Sequence, residues 1–398
     1  MPERRYRVLV IGSHPVQYMS PLLRRMAGHP KLDLSVAYCT LRGAQPAYDP
    51  DFKTTIQWDV PLLEGYSWQE IPNLGSGAES FWGLYNPGLW NLIRKGPFDA
   101  VLCYLSYRCA SFWIAFFASR LAGTAFLFGS DASSMASRSG SAWKRKVKHL
   151  FWPFLFSLAD QVIVPSNATR DLMLSLDVPS ERITLTPYSV DNDWWMAQSR
   201  TVNRDTVRRT WGAAAETCII LFCAKLQPWK RPVDLLRAFA LCNRDDALLV
   251  YAGEGPLRGE LEKTALDLGV SKHVRFLGFQ NQSQLPSVYT AADIMALPSE
   301  YEPFAVVVNE ASCCGCAVIA SDSVGAARDL IAPVDQDLVY PCGDVPALAA
   351  VLRRICGDRQ RLRQLGLAAR QRMATWSPED TVAATVEAVA AAIQHRHG

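Results

Sequence analysis

Apolar and polar positions alternate along this chain in two interleaved rhythms. Short β-branched apolar runs are followed by longer segments with apolar residues every three or four positions, the pattern of parallel strands covered by amphipathic helices. In the first half it predicts strands at 7–11, 32–39, 100–104, 125–128 and 161–164, and helices at 20–27, 111–121, 142–158 and 168–176. Residues 42–97 break the rhythm with Gly, Pro, Trp and Tyr, and read as elaborated loops. The alternation stops again after Pro187-Tyr188-Ser189-Val190-Asp191, where a polar segment to about Asn203 predicts a linker. A second set follows, with strands at 218–223, 247–251, 274–277, 294–297 and 317–320 and helices at 232–242, 257–268, 285–291, 307–314 and 326–331. The alanine-rich segment 378–394 reads as a helix, with Ser377 and Pro378 suited to its N-cap and first turn.

At 398 residues the chain exceeds one ordinary core, and a prior of about 150 residues per domain gives two. The expected fold is α/β with two Rossmann-like domains, residues 1–195 and 196–377, and a last helix, 378–398, packing back on the first. Two such halves facing a central cleft would place a ligand at the carboxyl ends of their strands. Hydrophobic residues make up 49% of the chain and charged residues 20%, which excludes a disordered class. A formal charge of +3 falls short of the basic footprint of a nucleic-acid binder. The apolar run Val8–Ile11 is too short for a signal-peptide core and no run of eighteen apolar residues occurs, so the expected location is cytoplasmic. The eleven cysteines are odd in number and lie in apolar stretches, which argues against a disulfide framework. The one Cys-x-x-Cys, Cys313 to Cys316, reads as small buried side chains rather than a metal site.

Three segments carry candidate chemistry, each at a strand-to-helix junction. In Pro298-Ser299-Glu300-Tyr301-Glu302-Pro303-Phe304-Ala305-Val306-Val307-Val308-Asn309-Glu310-Ala311, a turn and a helix start bear two glutamates eight positions apart. Their backbones can be separated by up to about 12 Å along the axis, a span suited to an extended ligand gripped at two ends. The helix start between them offers amides and a positive dipole end to anionic oxygens. Lys225-Leu226-Gln227-Pro228-Trp229-Lys230-Arg231 supplies cations at a cleft edge, although alone it would pass for a solvated face. Gly253-Glu254-Gly255 lets backbone approach a phosphate or sugar, or is a plain tight turn.

In this order these residues resemble the retaining glycosyltransferases of family 4, which have the two-domain GT-B architecture. The resemblance is most specific from Cys218 to Ile331 and is supported by Pro187–Asp191, Val274–Phe279, Ala291–Asp293 and Gly315–Ser321. It implies that Glu310 holds the ribose hydroxyls of a nucleotide-sugar donor, that Glu302 contacts the transferring sugar, and that Lys225 with Lys230 takes the diphosphate. The backbone of Phe304, Ala305 and Val306 would reach sugar and phosphate oxygens. Gly278 and Phe279 end the segment similar to the base-binding strand, with Gly253 and Glu254 beside the donor. Lys225 stands where the family commonly has Arg, and replaces a bidentate fork by a point charge. Ala305 stands where Gly is common, and a positive φ there would strain alanine.

The implied reaction is departure of a nucleoside diphosphate assisted by the lysines and the helix start, with Glu302, Lys230 and Asp131 as catalytic candidates and retention at the anomeric carbon. It needs no metal and no cofactor beyond the nucleotide-diphosphate sugar. Asp191-Asn192-Asp193 mimics an Asp-x-Asp metal motif but falls at the linker turn, and is read as a decoy. On the acceptor side, His14 follows the first strand and is either an acceptor contact or a buried structural histidine. Asp131 follows another strand and either orients or deprotonates an acceptor hydroxyl or caps a helix. Trp58, Trp68, Trp82 and Trp90 can stack on sugars, but core packing is the better expectation for each. Lys144, Arg145, Lys146 and Lys148 precede the apolar run 150–158, so the segment 144–158 either touches an anionic membrane surface or packs on its sheet. The expected partners are a nucleotide-sugar donor and a sugar, lipid-linked or small-molecule acceptor in glycan or glycosylated-metabolite synthesis, without nucleic acid. A non-catalytic nucleotide-sugar binder, or an epimerase or phosphorylase on the same architecture, would carry the same pattern.

Overall fold

The computed structural model describes residues 5–49, 54–78, 80–135 and 142–397. Residues 1–4 and Gly398, which bound the expected domains, and the side chain of Lys144 lie outside the described residues. The chain divides into two units. The first comprises residues 1–47, 60–188 and 378–398, and the second residues 48–59 and 189–377.

The first half of the chain carries β1 (Tyr6–Gly12), β2 (Leu32–Tyr38), a two-stranded ribbon of β3 (Ala47–Asp49) and β4 (Thr54–Ile56), then β5 (Ser67–Glu70), β6 (Ala100–Cys103), β7 (Ala125–Gly129), β8 (Gln161–Val164) and β9 (Ile183–Leu185). Seven of these form one parallel sheet in the order β5-β2-β1-β6-β7-β8-β9. Central strands such as β6 and β8 are buried throughout, as continuous apolar runs covered on both faces must be. One face packs Phe112, Phe116, Trp152 and Phe156, and the other packs Leu22, Leu23 and Met26 with Val382, Val389 and Ala392. The last three belong to the helix Pro378–His397, which is fastened to this unit by Arg25 to Glu379 at 2.9 Å and by the Thr381 hydroxyl donating to the Pro187 carbonyl at 2.7 Å.

The second unit carries β10 (Cys218–Cys223), β11 (Ala247–Ala252), β12 (Val274–Gly278), β13 (Ile294–Leu297), β14 (Ala317–Ser321) and β15 (Val339–Tyr340), a parallel sheet in the order β12-β11-β10-β13-β14-β15. Strand order reverses beside β10, so the loops after β10 and β13 part there and leave a crevice at their carboxyl ends.

Two expectations need correction. The polar segment read as a linker contains the helix Asn192–Thr201, and the units divide between Tyr188 and Ser189 rather than at 195. Asp191 caps that helix by accepting the Trp194 amide at 3.3 Å, and Trp195 is fully buried; one apolar face only two turns long leaves too few positions to register as periodicity. The loop reading of 42–97 missed β5, an edge strand with all four residues exposed and so without alternation, and the helix Gly88–Lys95. It also missed that 48–59 belongs to the second unit, where the Asp59 carboxylate accepts the Ser283 amide at 3.1 Å and the Asn281 side-chain amide donates to the Gln57 carbonyl at 2.8 Å. Such distant pairing leaves no local signal.

Candidate active site

The loops after β10 and β11 meet backbone to backbone. Gly253 has φ 146° and donates its amide to the Gly278 carbonyl at 2.8 Å, while Leu226 donates to the Glu254 carbonyl at 2.9 Å. A Cβ at 253 would stand 2.1 Å from the Ala224 carbonyl oxygen, so only glycine permits this approach. Lys225, half-buried, lies within the loop so formed. The Glu254 carboxylate pairs with Arg258 at 3.0 Å. Gly278 ends β12 with φ 73°, and Phe279 beyond it lies with its ring 6.2 Å from that of Trp58.

The turn Pro228–Lys230 and the loop after β13 bring Lys230 and Glu302 into an ion pair, with 18% and 14% of their side chains exposed. The loop bearing Glu302 is held from behind. Gly325 donates to the Glu302 carbonyl and Ala326 to the Phe304 carbonyl, each at 2.9 Å. A Cβ at 325 would stand 1.9 Å from the Pro303 oxygen, so here too glycine sets the packing distance. The Phe304 ring is buried and stacked on Trp376, which turns the side chain inward and leaves the main chain of 304–306 to shape the loop surface. Ala305 has φ 85°. A methyl group in that region costs about 1–2 kcal/mol, so this position carries the strain that alanine in place of glycine implies.

Glu310 lies on the helix Val307–Cys313 and is 2% exposed. The helix is just under two turns long, so its dipole contributes less than the sequence reading supposed. The Tyr289 hydroxyl donates to Glu310 Oε2 at 2.9 Å and lies 3.3 Å from the Cys223 sulfur. Burial pushes the Glu310 carboxyl up to about 8, against hydrogen bonds from Tyr289 and Gln282 that favour the anion. A buried carboxyl of this kind accepts readily from a ligand hydroxyl once it is ionised. Sequence reasoning missed Tyr289 and Gln282. The signal was available for Tyr289, because a tyrosine inside the apolar helix Leu285–Ala291 must find a partner for its hydroxyl. Gln282 keeps a buried Oε1 without a partner among the described residues.

In the first unit, His14 follows β1 half-buried, with Nδ1 2.9 Å from the Ser13 hydroxyl. Asp131 follows β7 and is exposed, and residues 132–135 after it are not helical. It faces Tyr18 and Tyr188, whose hydroxyls burial raises first and the Asp131 charge second, Tyr18 to about 12. The expectation of core packing for the four tryptophans is corrected. Trp68, Trp82 and Trp90 are exposed and Trp58 is half-buried, because each lies on an edge strand, a loop or a short surface helix rather than under the sheet. The helix Ala142–Ser157 divides its apolar residues between two faces. Trp152, Leu155 and Phe156 are buried, whereas Trp143, Val147, Leu150 and Phe154, spaced four, three and four apart, form one exposed stripe in which Leu150 is 83% exposed. Arg145, Lys146 and His149 are exposed beside it, and Lys148 lies 4.5 Å over the Trp152 ring. No helix among the described residues is long and apolar enough to cross a membrane.

Two Rossmann-like α/β units, one with charged strand-end loops around a buried glutamate, define the class to which this protein belongs: the GT-B glycosyltransferases. A family model of glycosyl transferases group 1 matches residues 203–372, and a glycosyl transferase 4-like domain matches residues 17–189. The chain belongs to this family-4 group of glycosyltransferases. It is 32% identical over 250 residues to a D-inositol 3-phosphate glycosyltransferase of Nocardia farcinica, covering 60% of this chain and 54% of that protein. It is 31% identical over 259 residues to a GDP-mannose-dependent alpha-mannosyltransferase of Mycolicibacterium smegmatis, covering 65% and 61%. The chain thus spans about half the length of the curated relatives it matches. Among solved structures, Anabaena HepE in complex with UDP and glucose superposes with a TM-score of 0.73 over 97% of this chain and 100% of that one at 18% identity, a likeness of fold.

Proposed function

We propose that this protein transfers a sugar from a nucleotide-diphosphate donor to an acceptor hydroxyl, with retention and without a metal, using the strand-end pocket of its second unit. The observation that carries this reading is the pairing of a buried, hydrogen-bonded Glu310 with a Lys230–Glu302 ion pair at the carboxyl ends of one parallel sheet. Glu310 accepts the ribose hydroxyls, and its raised pKa falls when two donors solvate the anion. Lys225 and Lys230 take the diphosphate, and Lys230 bridges it to Glu302, which contacts the transferring sugar. As the bond from the anomeric carbon to the phosphate oxygen breaks, the electron pair stays on that oxygen, where the two ammonium groups stabilise it, and the acceptor hydroxyl oxygen bonds to the anomeric carbon while its proton passes to the departing diphosphate. The main chain of Phe304, Ala305 and Val306 and the loop of Gly253 and Glu254 surround the sugar and phosphates, and Gly278 and Phe279 adjoin the base. HepE holds UDP and glucose, and the mannosyltransferase is named for GDP-mannose, so both point to nucleotide sugars as a class without choosing the base. His14 and Asp131 serve the acceptor side.

The test is turnover of a panel of UDP-, GDP- and ADP-sugars, with thermal shift as the binding readout. One donor should raise the melting point and be consumed, and Lys230→Ala should weaken its binding at least tenfold. Binding without turnover under all acceptors would favour a non-catalytic binder. Binding unchanged in Lys230→Ala would remove the site.

The exposed apolar stripe of the helix Ala142–Ser157, flanked by basic side chains, supports contact with an anionic lipid surface, which a lipid-linked acceptor would require. Cosedimentation with anionic vesicles at low salt, lost in Leu150→Glu, is the expected result; equal binding by neutral vesicles or no binding would end this part of the reading.

A further inference from the structure

A cavity of about 560 Å³ opens in the second unit at the amino ends of its strands. Its lining includes Glu216, Asp293 and Gly315, which precede β10, β13 and β14, whereas the donor-site residues follow β10 to β13. Five arginines line it, Arg204, Arg208, Arg359, Arg363 and Arg370, against three acids, Asp205, Asp293 and Glu216, which leaves two positive charges in excess.

The acids do not share the load evenly. Asp293, 7% exposed, receives Arg204, Arg208 at 2.6 Å and Arg359 at 3.4 Å, and also accepts the Ile219 amide at 2.8 Å. One buried carboxylate thus answers three guanidinium groups. Glu216 is 3.7 Å from Arg359 and 90% exposed, so water screens it. Backbone carbonyls take most of the other donors of the inner arginines: Arg208 donates to Ala291, Ala215 and Thr217, and Arg370 to Cys313, while Arg370 also donates to the Ser199 hydroxyl at 3.0 Å. Arg363, exposed at the rim, makes no ion pair among the described residues. The crowding is felt within the cluster. Arg208 is held below its ordinary pKa by burial first, with Arg204 and Arg359 acting in the same direction against Asp293. An ion-pair cluster that only fastened helices to a sheet would be stablest at charge balance, and this one keeps a surplus around an open space.

We propose that this cavity is a second ligand site, which binds a small phosphorylated anion. Guanidinium forks match phosphate oxygens in pairs, and the charge of a phosphomonoester, close to two negative units, equals the surplus. The volume falls within the range of small-molecule sites and leaves room for an organic body beyond the phosphate. Because the cavity and the donor residues lie at opposite ends of the same strands, its occupant does not compete with a nucleotide sugar. The inference stands apart from the proposed transfer reaction.

Inorganic phosphate is the probe, titrated into the full chain at constant ionic strength with chloride as the balancing ion, and read by calorimetry and thermal shift. Saturable binding at one site is expected, weakened about tenfold by Arg363→Gln and at least as much by Arg359→Gln, and changed less than twofold by Lys230→Ala. Arg363 is exposed, so its variant keeps the test open should Arg359→Gln fail to fold. Stabilisation no greater than that by chloride, full binding retained in Arg363→Gln, or loss of binding in Lys230→Ala, which would place phosphate at the strand-end pocket, would each overturn the proposal.

Discussion

The carboxyl ends of the two sheets are built on opposite plans. In the second unit charges are paired and backbones locked: Lys230 meets Glu302, Glu310 is held by Tyr289, and loops approach at distances only Gly253 and Gly325 allow. In the first unit the strand ends are aromatic. Tyr18 and Tyr188 lie with ring centroids 5.9 Å apart, and a Cβ at Gly129 would meet the Tyr104 ring at 2.6 Å. Burial raises all three hydroxyls well above their ordinary values, and one exposed carboxylate, Asp131, lies beside Tyr18 and Tyr188. A fixed chemical group such as a diphosphate or a ribose calls for charges and donors at set distances. A ligand recognised by shape and stacking calls for walls. Under the proposed function, the contrast fits a second unit that holds the invariant part of the reaction and a first unit that meets the variable part.

The largest expected effect breaks the second unit's plan at its centre. Glu310→Gln keeps the volume but loses an anionic acceptor of two hydrogen bonds, so donor affinity should fall about a hundredfold or more by calorimetry. The same variant has a pH signature. The folded pKa of Glu310, about 8, lies above the unfolded value of 4.5, so the native state binds its proton more tightly. The stability this group confers is fully present below about pH 4.5 and is lost as pH rises to about 8. Glutamine does not titrate, so the variant should melt above the wild type at pH 8.5 and near it at pH 4. With each pKa unit worth about 1.4 kcal/mol, the difference should reach several degrees. Equal melting points at pH 8.5 would mean that Glu310 is not buried in a dry environment.

The two plans also differ in how far they could be read beforehand. Lys225, Lys230, Glu302 and Glu310 stand at strand-to-helix junctions marked by Pro and Gly, where a short string of residues records a local geometry. The resemblance, which has glycine at position 305, pointed to a positive φ there, and Ala305 has φ 85°. Contacts that reach this unit's loops and helices from distant segments were less legible. Tyr289 reaches Glu310 from another helix, and Asp59 reaches Ser283 across more than two hundred residues, so no spacing records either pairing; the apolar helix around Tyr289 shows only that its hydroxyl needs a partner, not which one. Strands of the central sheets were legible because burial on both faces demands continuous apolar runs. The exposed edge strand β5 and the half-exposed tryptophans obey no such demand.

A smaller effect sharpens the claim that the second unit stores strain in its loop. Ala305→Gly removes the methyl group at φ 85°. The relief, about 1–2 kcal/mol, is partly offset by the greater freedom of glycine in the unfolded chain, so a net gain of a few tenths to about 1 kcal/mol is expected in denaturant unfolding. Ala305→Val should lose more than glycine gains, because a branched side chain at positive φ is worse than a methyl group. A destabilised glycine variant would show that the alanine methyl packs favourably enough to outweigh its backbone conformation.

The smallest effect concerns the first unit, where the plan rests on walls rather than charges. Asp131 is exposed, and its charge is the second cause, after burial, of the raised Tyr18 hydroxyl. Asp131→Asn should therefore lower the Tyr18 titration only slightly from about 12 in a spectrophotometric pH titration, leaving most of the rise in place because burial is unchanged. Tyr188 should move in the same direction. Donor affinity should stay within twofold, since the donor residues belong to the other unit. If Asp131 orients an acceptor hydroxyl, turnover to acceptor should fall while donor binding does not, and the dependence on acceptor concentration separates a lost contact from a lost base. A large drop in the tyrosine titration would instead mean that the carboxylate, and not the burial, governs these rings, and the strand ends of the two units would then differ less than their residues suggest.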